Sequence, residues 1–221
     1  MNVPPSEGTD RLKMLGTRKV PLLAGSGEFV FAENLDKVAE FVGLKGAGHK
    51  PLLPDELCAK WTCVLRAALR YIRQMPDRCL EERAMPNRDR AIRLVCHHIF
   101  RIAEAFIESA AENKEYWEWH AQQLPHDGTM LTGEEIVRYG ESILARLDSW
   151  WNDLADRSGR QMVKTYMGMQ SLHLLLERSA WHSAQHVRQL MALLEQRGIA
   201  PDIPLTEENL AGLPLPQGLW E

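Results

Sequence analysis

The sequence has no apolar run approaching 18 residues, about the minimum for a membrane-spanning helix, so an integral membrane protein is excluded. It also lacks a basic segment followed by an apolar stretch near its first residue, so we expect a cytoplasmic protein that is not exported. No block of basic residues is present, and the formal net charge is −4. Dedicated nucleic-acid-binding proteins carry a basic surface, so we expect no nucleic-acid partner.

Cysteine is scarce, and its spacing excludes further classes. The four cysteines, Cys58, Cys63, Cys79 and Cys96, form no Cys-x-x-Cys pair. A disulfide framework or a cysteine zinc site is therefore not expected, and we interpret them as reduced thiols. No Ser-His-Asp triad, P-loop or dinucleotide-binding fingerprint is evident either.

What the sequence does have is enough apolar material for one large domain and a small extension, at 45% hydrophobic and 25% charged residues. Apolar residues recur with helical periodicity in four segments, and this pattern predicts a mainly α protein with a four-helix bundle. The long connections between the segments favour crossover topology. The predicted helices are residues 55–74, 89–110, 132–154 and 171–198.

Residues 1–50 form the predicted extension. Two short apolar runs, 19–24 and 28–31, flank a Gly-Ser-Gly turn and predict a β-hairpin, followed by a short helix at 35–42 and a glycine-rich linker. This unit is too small to hold a core of its own. The bundle would then occupy residues 51–221, with an extended proline-rich tail after Gly198.

His182 and His186 are the first candidate metal ligands. They lie four residues apart on the fourth predicted helix, so their Cβ atoms are roughly 5–6 Å apart on one face. Both belong to the apolar stripe, which points them inward. Two imidazoles at this spacing can reach a single metal ion, although two satisfied core histidines would give the same pattern.

The second predicted helix supplies a third candidate within His97-His98. Adjacent helical positions differ by about 100°, so only one of the two can share a given face. His98 shares its face with apolar residues, whereas His97 shares its face with arginines and Glu104, and the apolar company selects His98. Three imidazoles with an open position are typical of a catalytic divalent ion, with zinc first and nickel, iron or copper as alternatives.

Residues 94–104, around His98, and 176–190, around His-x-x-x-His, resemble the DinB/YfiT-like metalloenzyme family. The likeness covers about residues 52–198. It implies a four-helix bundle with crossovers, a divalent metal on His98, His182 and His186, and frequent dimerisation. In characterised branches it also implies thiol chemistry with a low-molecular-weight thiol.

Residues 15–23, 28–31 and 34–43 are similar to the second half of a glutaredoxin. In that fold the residues matching Val20 and Pro21 contact glutathione, which implies a contribution of this pair to thiol binding. The half that carries the Cys-x-x-Cys is missing, so redox catalysis is not expected. A remnant that only caps the bundle is the alternative.

Three further residues are candidates for binding a substrate or thiol. Arg178 and Arg188 lie about one turn from the histidines and could hold a carboxylate, although surface ion pairing is the more common role of such arginines. Trp181 directly precedes His182.

The sequence thus predicts a divalent-metal-dependent transferase or isomerase that uses a thiol, glutathione first of all, together with a small-molecule substrate. One alternative is a metal hydrolase in which bound water is the nucleophile. Another is a non-catalytic metal-binding stress protein. The family resemblance further implies a homodimer.

Overall fold

The computed structural model describes residues 50–85 and 88–220 and, before them, Leu22–Gly25, Glu28–Phe31, Val38 and Phe41–Gly43. The chain divides into two units, Met1–Lys50 and Pro51–Glu221. In the first, strands β1 (Leu22–Gly25) and β2 (Glu28–Phe31) pair antiparallel, as the sequence predicts. Val20, Pro21 and most of the predicted helix 35–42 lie outside the described residues.

The second unit is a helical bundle, and this confirms the predicted fold class. In chain order its helices are α1 (Pro54–Gln74), α2 (Ile92–Ala110), the short α3 (Glu118–Ala121), α4 (Gly133–Asp153), α5 (Leu172–Glu195) and the short α6 (Glu207–Leu210). Helices α1 and α2 each pack mainly against α4 and α5. Helices α1 and α2 therefore lie diagonally across the bundle, as do α4 and α5, which is the crossover arrangement expected from the long connections.

The apolar stripes of the four long helices meet in one core. On α1, Leu57, Trp61, Val64 and Ile72 are fully buried. Trp61 packs edge-to-face on Phe106 of α2, with 5.1 Å between ring centroids. Among the residues that the structure describes, no helix combines the length and apolar character needed to cross a bilayer.

Two short hairpins precede the helices α2 and α5, and the sequence pattern predicted neither. Strand β3 (Arg83–Met85) pairs with β4 (Arg88–Ala91), and β5 (Met162–Thr165) pairs with β6 (Gly168–Ser171). Helix α2 consequently begins at Ile92 and not near residue 89. The strand Arg88–Ala91 is polar and has no apolar alternation, so its pairing rests on backbone hydrogen bonds that leave no pattern in the sequence.

These hairpins anchor the first turns of α2 and α5. The amide N–H of Ile92 donates to the Glu82 carbonyl at 2.9 Å, and that of Leu172 donates to the Gln161 carbonyl at 2.7 Å. The first N–H groups of a helix have no acceptor within the helix, so these contacts satisfy groups that would otherwise need capping side chains or water.

The C-terminal segment returns along the bundle and is held by side chains of α1. Gln74 donates its amide to the Ala200 carbonyl at 2.9 Å and accepts from the Asp202 N–H at 2.8 Å. The Tyr71 hydroxyl accepts from the Leu205 N–H at 2.9 Å. The predicted extended tail is thus interrupted by α6 and fixed to the bundle by polar contacts.

Candidate metal centre

The three predicted ligand histidines come together between α2 and α5. His98 comes from α2, and His182 and His186 come from successive turns of α5. Their ligand nitrogens lie within 4.8 Å of one another. Within the described part of the chain, this is the one group of three or more His, Cys, Asp or Glu residues placed to hold a metal ion.

The ring positions fit a single tetrahedral ion. With a metal–nitrogen distance of about 2.0–2.1 Å, each ring centroid lies about 3.2 Å from the ion, so tetrahedral ligands have centroids about 5.2 Å apart. The observed separations are 5.2 Å for His98–His182, 4.8 Å for His98–His186 and 5.1 Å for His182–His186. Nitrogens bound to one such ion are only about 3.3 Å apart, so the three rings need to turn toward the ion when it binds.

The hydrogen bond of His98 fixes which of its nitrogens is free. Its Nδ1 lies 2.7 Å from the carbonyl oxygen of Ala121, at the end of α3. A carbonyl can only accept, so Nδ1 carries the proton and Nε2 keeps its lone pair. Metal-bound histidines characteristically donate their second ring N–H in this way, which orients the ring.

His186 is fixed by a longer chain of hydrogen bonds. Its Nδ1 lies 2.8 Å from Oε1 of Gln189, and Nε2 of Gln189 donates to the Leu219 carbonyl at 2.8 Å. Because the Leu219 carbonyl accepts, the amide nitrogen of Gln189 must face it, so the amide oxygen faces the imidazole. Nδ1 of His186 is therefore the protonated nitrogen, and Nε2 is available as a ligand.

His182 is held by packing. Its ring lies 5.6 Å from that of Trp181 and makes no hydrogen bond within the described part of the chain. Of the three rings it therefore has the most freedom to rotate about its χ2 angle. His182 is the ligand that can most easily complete the tetrahedral geometry.

All three rings lie where a positive charge is costly. His98 is 3% exposed and His186 is 9% exposed. Burial, assisted by the charges of His186 and Arg90, lowers the pKa of His98 to about 2. Burial, followed by the neighbouring histidines and Arg178, also holds the pKa of His182 well below its usual range. Neutral imidazoles are the form that binds a metal ion.

His97 is not the surface residue that its polar helical neighbours suggested. It is 6% exposed and stacks on Tyr139 of α4, with 5.1 Å between centroids and 15° between ring planes. The selection of His98 was correct, but the contrast between a buried and an exposed face was wrong. The polar face of α2 is covered by α4, where Arg101 is also buried at 6% exposure.

A network of charged groups explains how that face is buried. Arg101 donates to Glu104, Glu108 and Gln123 at 3.0–3.1 Å. Glu104 also accepts from the Tyr139 hydroxyl at 2.7 Å and from Arg146 at 3.1 Å. Each carboxylate thus has cationic or hydroxyl donors, and Glu104 is not a metal ligand.

The other predicted site residues are engaged with neighbouring side chains. Arg178 is largely buried and lies 3.4 Å from Glu118 of α3. Arg188 donates to Oε1 of Gln185 at 2.8 Å and to the Pro216 carbonyl at 3.1 Å. Their predicted role in substrate binding stays a prediction, as does that of Trp181, which is half-buried.

The sequence interpretation missed Gln189 and Ala121, which orient two of the ligands. Gln189 could have been found, because it lies three residues after His186 and is a buried amide, at 3% exposure. Ala121 contributes a main-chain carbonyl, which no side-chain pattern reveals.

Comparison with known proteins identifies the fold. No protein-family model matches the chain, and no curated protein matches it. Among solved structures, the chain is similar to YfiT from Bacillus subtilis, described as a probable metal-dependent hydrolase with an unusual four-helix bundle topology. The two share 18% sequence identity, and the match has a TM-score of 0.52 over 66% of this chain and 89% of YfiT. At this identity the likeness shows a shared fold.

Proposed function

We propose that the protein is a divalent-metal-dependent enzyme in which His98, His182 and His186 hold the ion and a low-molecular-weight thiol, glutathione first of all, is the nucleophile. The observation that carries the metal site is the convergence of three imidazoles, of which His98 and His186 are buried and His182 is half-buried, at the ring separations of a tetrahedral centre. Three protein ligands leave at least one coordination position for a reactant.

A bound divalent ion lowers the pKa of a thiol or water and polarises a carbonyl group. Two arginines lie near the site, and one of them, Arg178, is also paired with Glu118. Arg90 and Arg178 are the charged side chains, other than the histidines, that most affect the pKa of His182, and both are cationic. A thiolate or a substrate carboxylate would be stabilised in such surroundings.

The buried thiols of Cys58 and Cys96 are poor candidates for the nucleophile. Burial raises the pKa of each to about 12, so they remain protonated at neutral pH. The reactive form of a thiol is the thiolate. A thiol co-substrate from solution therefore accounts better for thiol chemistry than these residues do.

Elemental analysis of the purified protein, combined with a thiol-dependent turnover screen, tests the proposal. We expect close to one divalent ion per chain and transfer or isomerisation activity that requires added thiol. His182→Ala should abolish both, whereas the matched His97→Gln should retain both. Unchanged metal content and activity in His182→Ala would contradict the proposal.

The second candidate is a metal-dependent hydrolase in which water is the nucleophile, and the likeness to YfiT supports it. It shares the three histidine ligands but requires no thiol. Metal-dependent hydrolysis of ester or amide substrates, unaffected by added glutathione, would favour this candidate over the thiol-dependent one.

A further inference from the structure

Three side chains on one turn of α5 donate hydrogen bonds to the C-terminal segment 216–219. Gln185 donates its amide to the carbonyls of Gly218 and Leu219 at 3.2 and 2.8 Å. Gln189 donates to the same Leu219 carbonyl at 2.8 Å. Arg188 donates to the Pro216 carbonyl at 3.1 Å. The same helical turn therefore carries a metal ligand, His186, and the docking site of this segment.

Gln189 contacts both the metal ligand His186 and the segment 216–219. Its oxygen accepts from Nδ1 of His186 while its nitrogen donates to Leu219, so its amide has one favourable orientation when both partners are in place. Without the Leu219 carbonyl, nothing in this pair of contacts distinguishes the two orientations of the amide. A flipped amide would present N–H groups to His186 and favour the tautomer that has its lone pair on Nδ1.

That tautomer is the wrong one for the metal centre. With a lone pair on Nδ1 the proton moves to Nε2, the nitrogen that Gln189 leaves available for the metal. Ligation through Nε2, conversely, requires the proton on Nδ1 and so favours the amide orientation that donates to Leu219. The metal and the C-terminal segment thus select the same state of His186 and Gln189.

We propose that residues 216–219 are part of the metal centre, and that Gln189 is a positioning residue that couples docking of this segment to metal binding at His186. The proposal rests on metal binding by the three histidines. By linkage, the factor by which the docked segment strengthens metal binding equals the factor by which bound metal strengthens docking.

The first test measures Zn²⁺ affinity by competition with a chromophoric chelator and the visible spectrum of the Co²⁺-loaded protein. Gln189→Leu removes the amide oxygen that accepts from Nδ1 of His186. Loss of such an outer partner typically weakens metal binding by about 10- to 100-fold, and we expect a loss in this range. We also expect a changed Co²⁺ spectrum, because the ligand ring is no longer held in place.

Gln189→Glu separates the two contacts of Gln189. A carboxylate accepts from His186 in either orientation but cannot donate to Leu219. We expect its Zn²⁺ affinity to stay within about threefold of wild type, whereas an outer-partner loss costs tenfold or more. Docking of residues 216–219 should nevertheless be weakened, because the contact of Gln189 with Leu219 is lost.

Gln185→Leu weakens the docking of the segment without contacting His186. In the wild-type background we expect weaker Zn²⁺ binding, and in the Gln189→Glu background no further loss, because there the amide orientation no longer matters. Such non-additivity is the measure of coupling in a double-mutant cycle. Equal effects in both backgrounds, or no effect in either, would overturn the proposal.

Gln74→Leu is the matched control. Gln74 binds an earlier part of the chain that follows α5, at Ala200 and Asp202, with both ends of its amide, and it makes no contact with a metal ligand. It should leave Zn²⁺ affinity unchanged. A loss equal to that of Gln185→Leu would show that the segment acts only through general stability, and would also overturn the proposal.

The reciprocal effect is measured on the segment itself. A serine carboxypeptidase removes residues from an undocked C-terminus, and we expect Zn²⁺ to slow the release of Leu219 in the wild type but not in Gln189→Leu. If the wild type binds Zn²⁺ but Leu219 is released at the same rate, the coupling between segment docking and metal binding is contradicted, while the metal centre itself is not. Failure of the wild type to bind Zn²⁺ would instead contradict the proposed metal centre.

Discussion

Helix α2 carries buried polar side chains on two faces, and the two clusters differ in their balance of donors and acceptors. Toward α4, the guanidinium groups of Arg101 and Arg146 face the carboxylates of Glu104 and Glu108 within a single network. Toward α5, the imidazole of His98 meets those of His182 and His186. Nδ1 of His98 donates to the Ala121 carbonyl, and Nδ1 of His186 donates to Oε1 of Gln189. In each of these two rings Nε2 then keeps its lone pair.

This difference separates a structural cluster from a ligand site. Buried donors that meet buried acceptors need nothing more, and such a cluster holds two helices in register. A cluster left with acceptor lone pairs lacks a positively charged partner, which a divalent ion supplies. Burial and polarity alone would have placed His97 and His98 in the same class.

Replacing His98 and His97 in separate variants should give the largest difference in Zn²⁺ affinity. His98→Ala removes one of the three proposed protein ligands. Loss of a residue that only orients a ligand weakens metal binding by up to about 100-fold, and we expect His98→Ala to lower Zn²⁺ affinity by more than this. His97→Gln should change that affinity little, because His97 stacks on Tyr139. Competition with a chelator measures both, and similar losses in the two variants would break the distinction between the faces.

Removing the central cation of the α4-side network should mainly affect folding. Arg101→Leu leaves Glu104 and Glu108 without their buried partner, and we expect a loss of about 3 kcal/mol in the free energy of unfolding. Arg73 pairs with Glu141 where both side chains are about half exposed, so Arg73→Leu should cost less than about 1 kcal/mol. Urea denaturation compares the two, and equal losses would contradict a buried network.

Acidification should lower the stability of the folded protein through His97. Burial lowers its pKa from 6.5 to about 4. Between these values the unfolded chain binds a proton that the folded chain does not, so stability falls as the pH drops below 6.5. At pH 5 this difference amounts to about 2 kcal/mol relative to pH 8.

The metal-free protein allows this to be measured by denaturation across that pH range. His98 and His182 contribute with the same sign, so His97→Gln serves as the reference. The wild type should lose about 2 kcal/mol more than this variant between pH 8 and 5. Parallel curves would show that His97 is not buried as a neutral ring.

The smallest effect is expected from a polar contact beside the metal ligands. Ser183 donates to the Ile99 carbonyl at 3.3 Å between α5 and α2, and it is fully buried. Ser183→Ala should reduce stability by about 1 kcal/mol or less and leave Zn²⁺ affinity unchanged. A weakened metal site would mean that the helix contact, and not only the ligands, controls binding.

Much of the bundle could be predicted from the sequence, and so could the grouping of His98, His182 and His186. The long helices have apolar residues at helical spacing, and His-x-x-x-His places two rings on one face. His98 was selected by its apolar neighbours. The accompanying expectation for His97 was wrong because an arginine such as Arg101 can be buried when carboxylates surround it, and periodicity does not show those partners.

The hairpins before α2 and α5 and the Ala121 carbonyl that orients His98 could not be predicted. They depend on main-chain groups that meet across the fold, and these are the same in every residue type. The roles of Val20 and Pro21, the thiol and the homodimer stay predictions.

The outermost support of His98 and that of His186 are both backbone atoms, the carbonyls of Ala121 and Leu219. Replacing either side chain leaves the carbonyl in the chain, so point substitutions at these two positions are poorly suited to disabling the centre. Insertions or deletions that shift α3 or the C-terminal segment would remove an acceptor while leaving every ligand histidine intact. The centre is thus tolerant of changes in residue identity there and sensitive to changes in chain length.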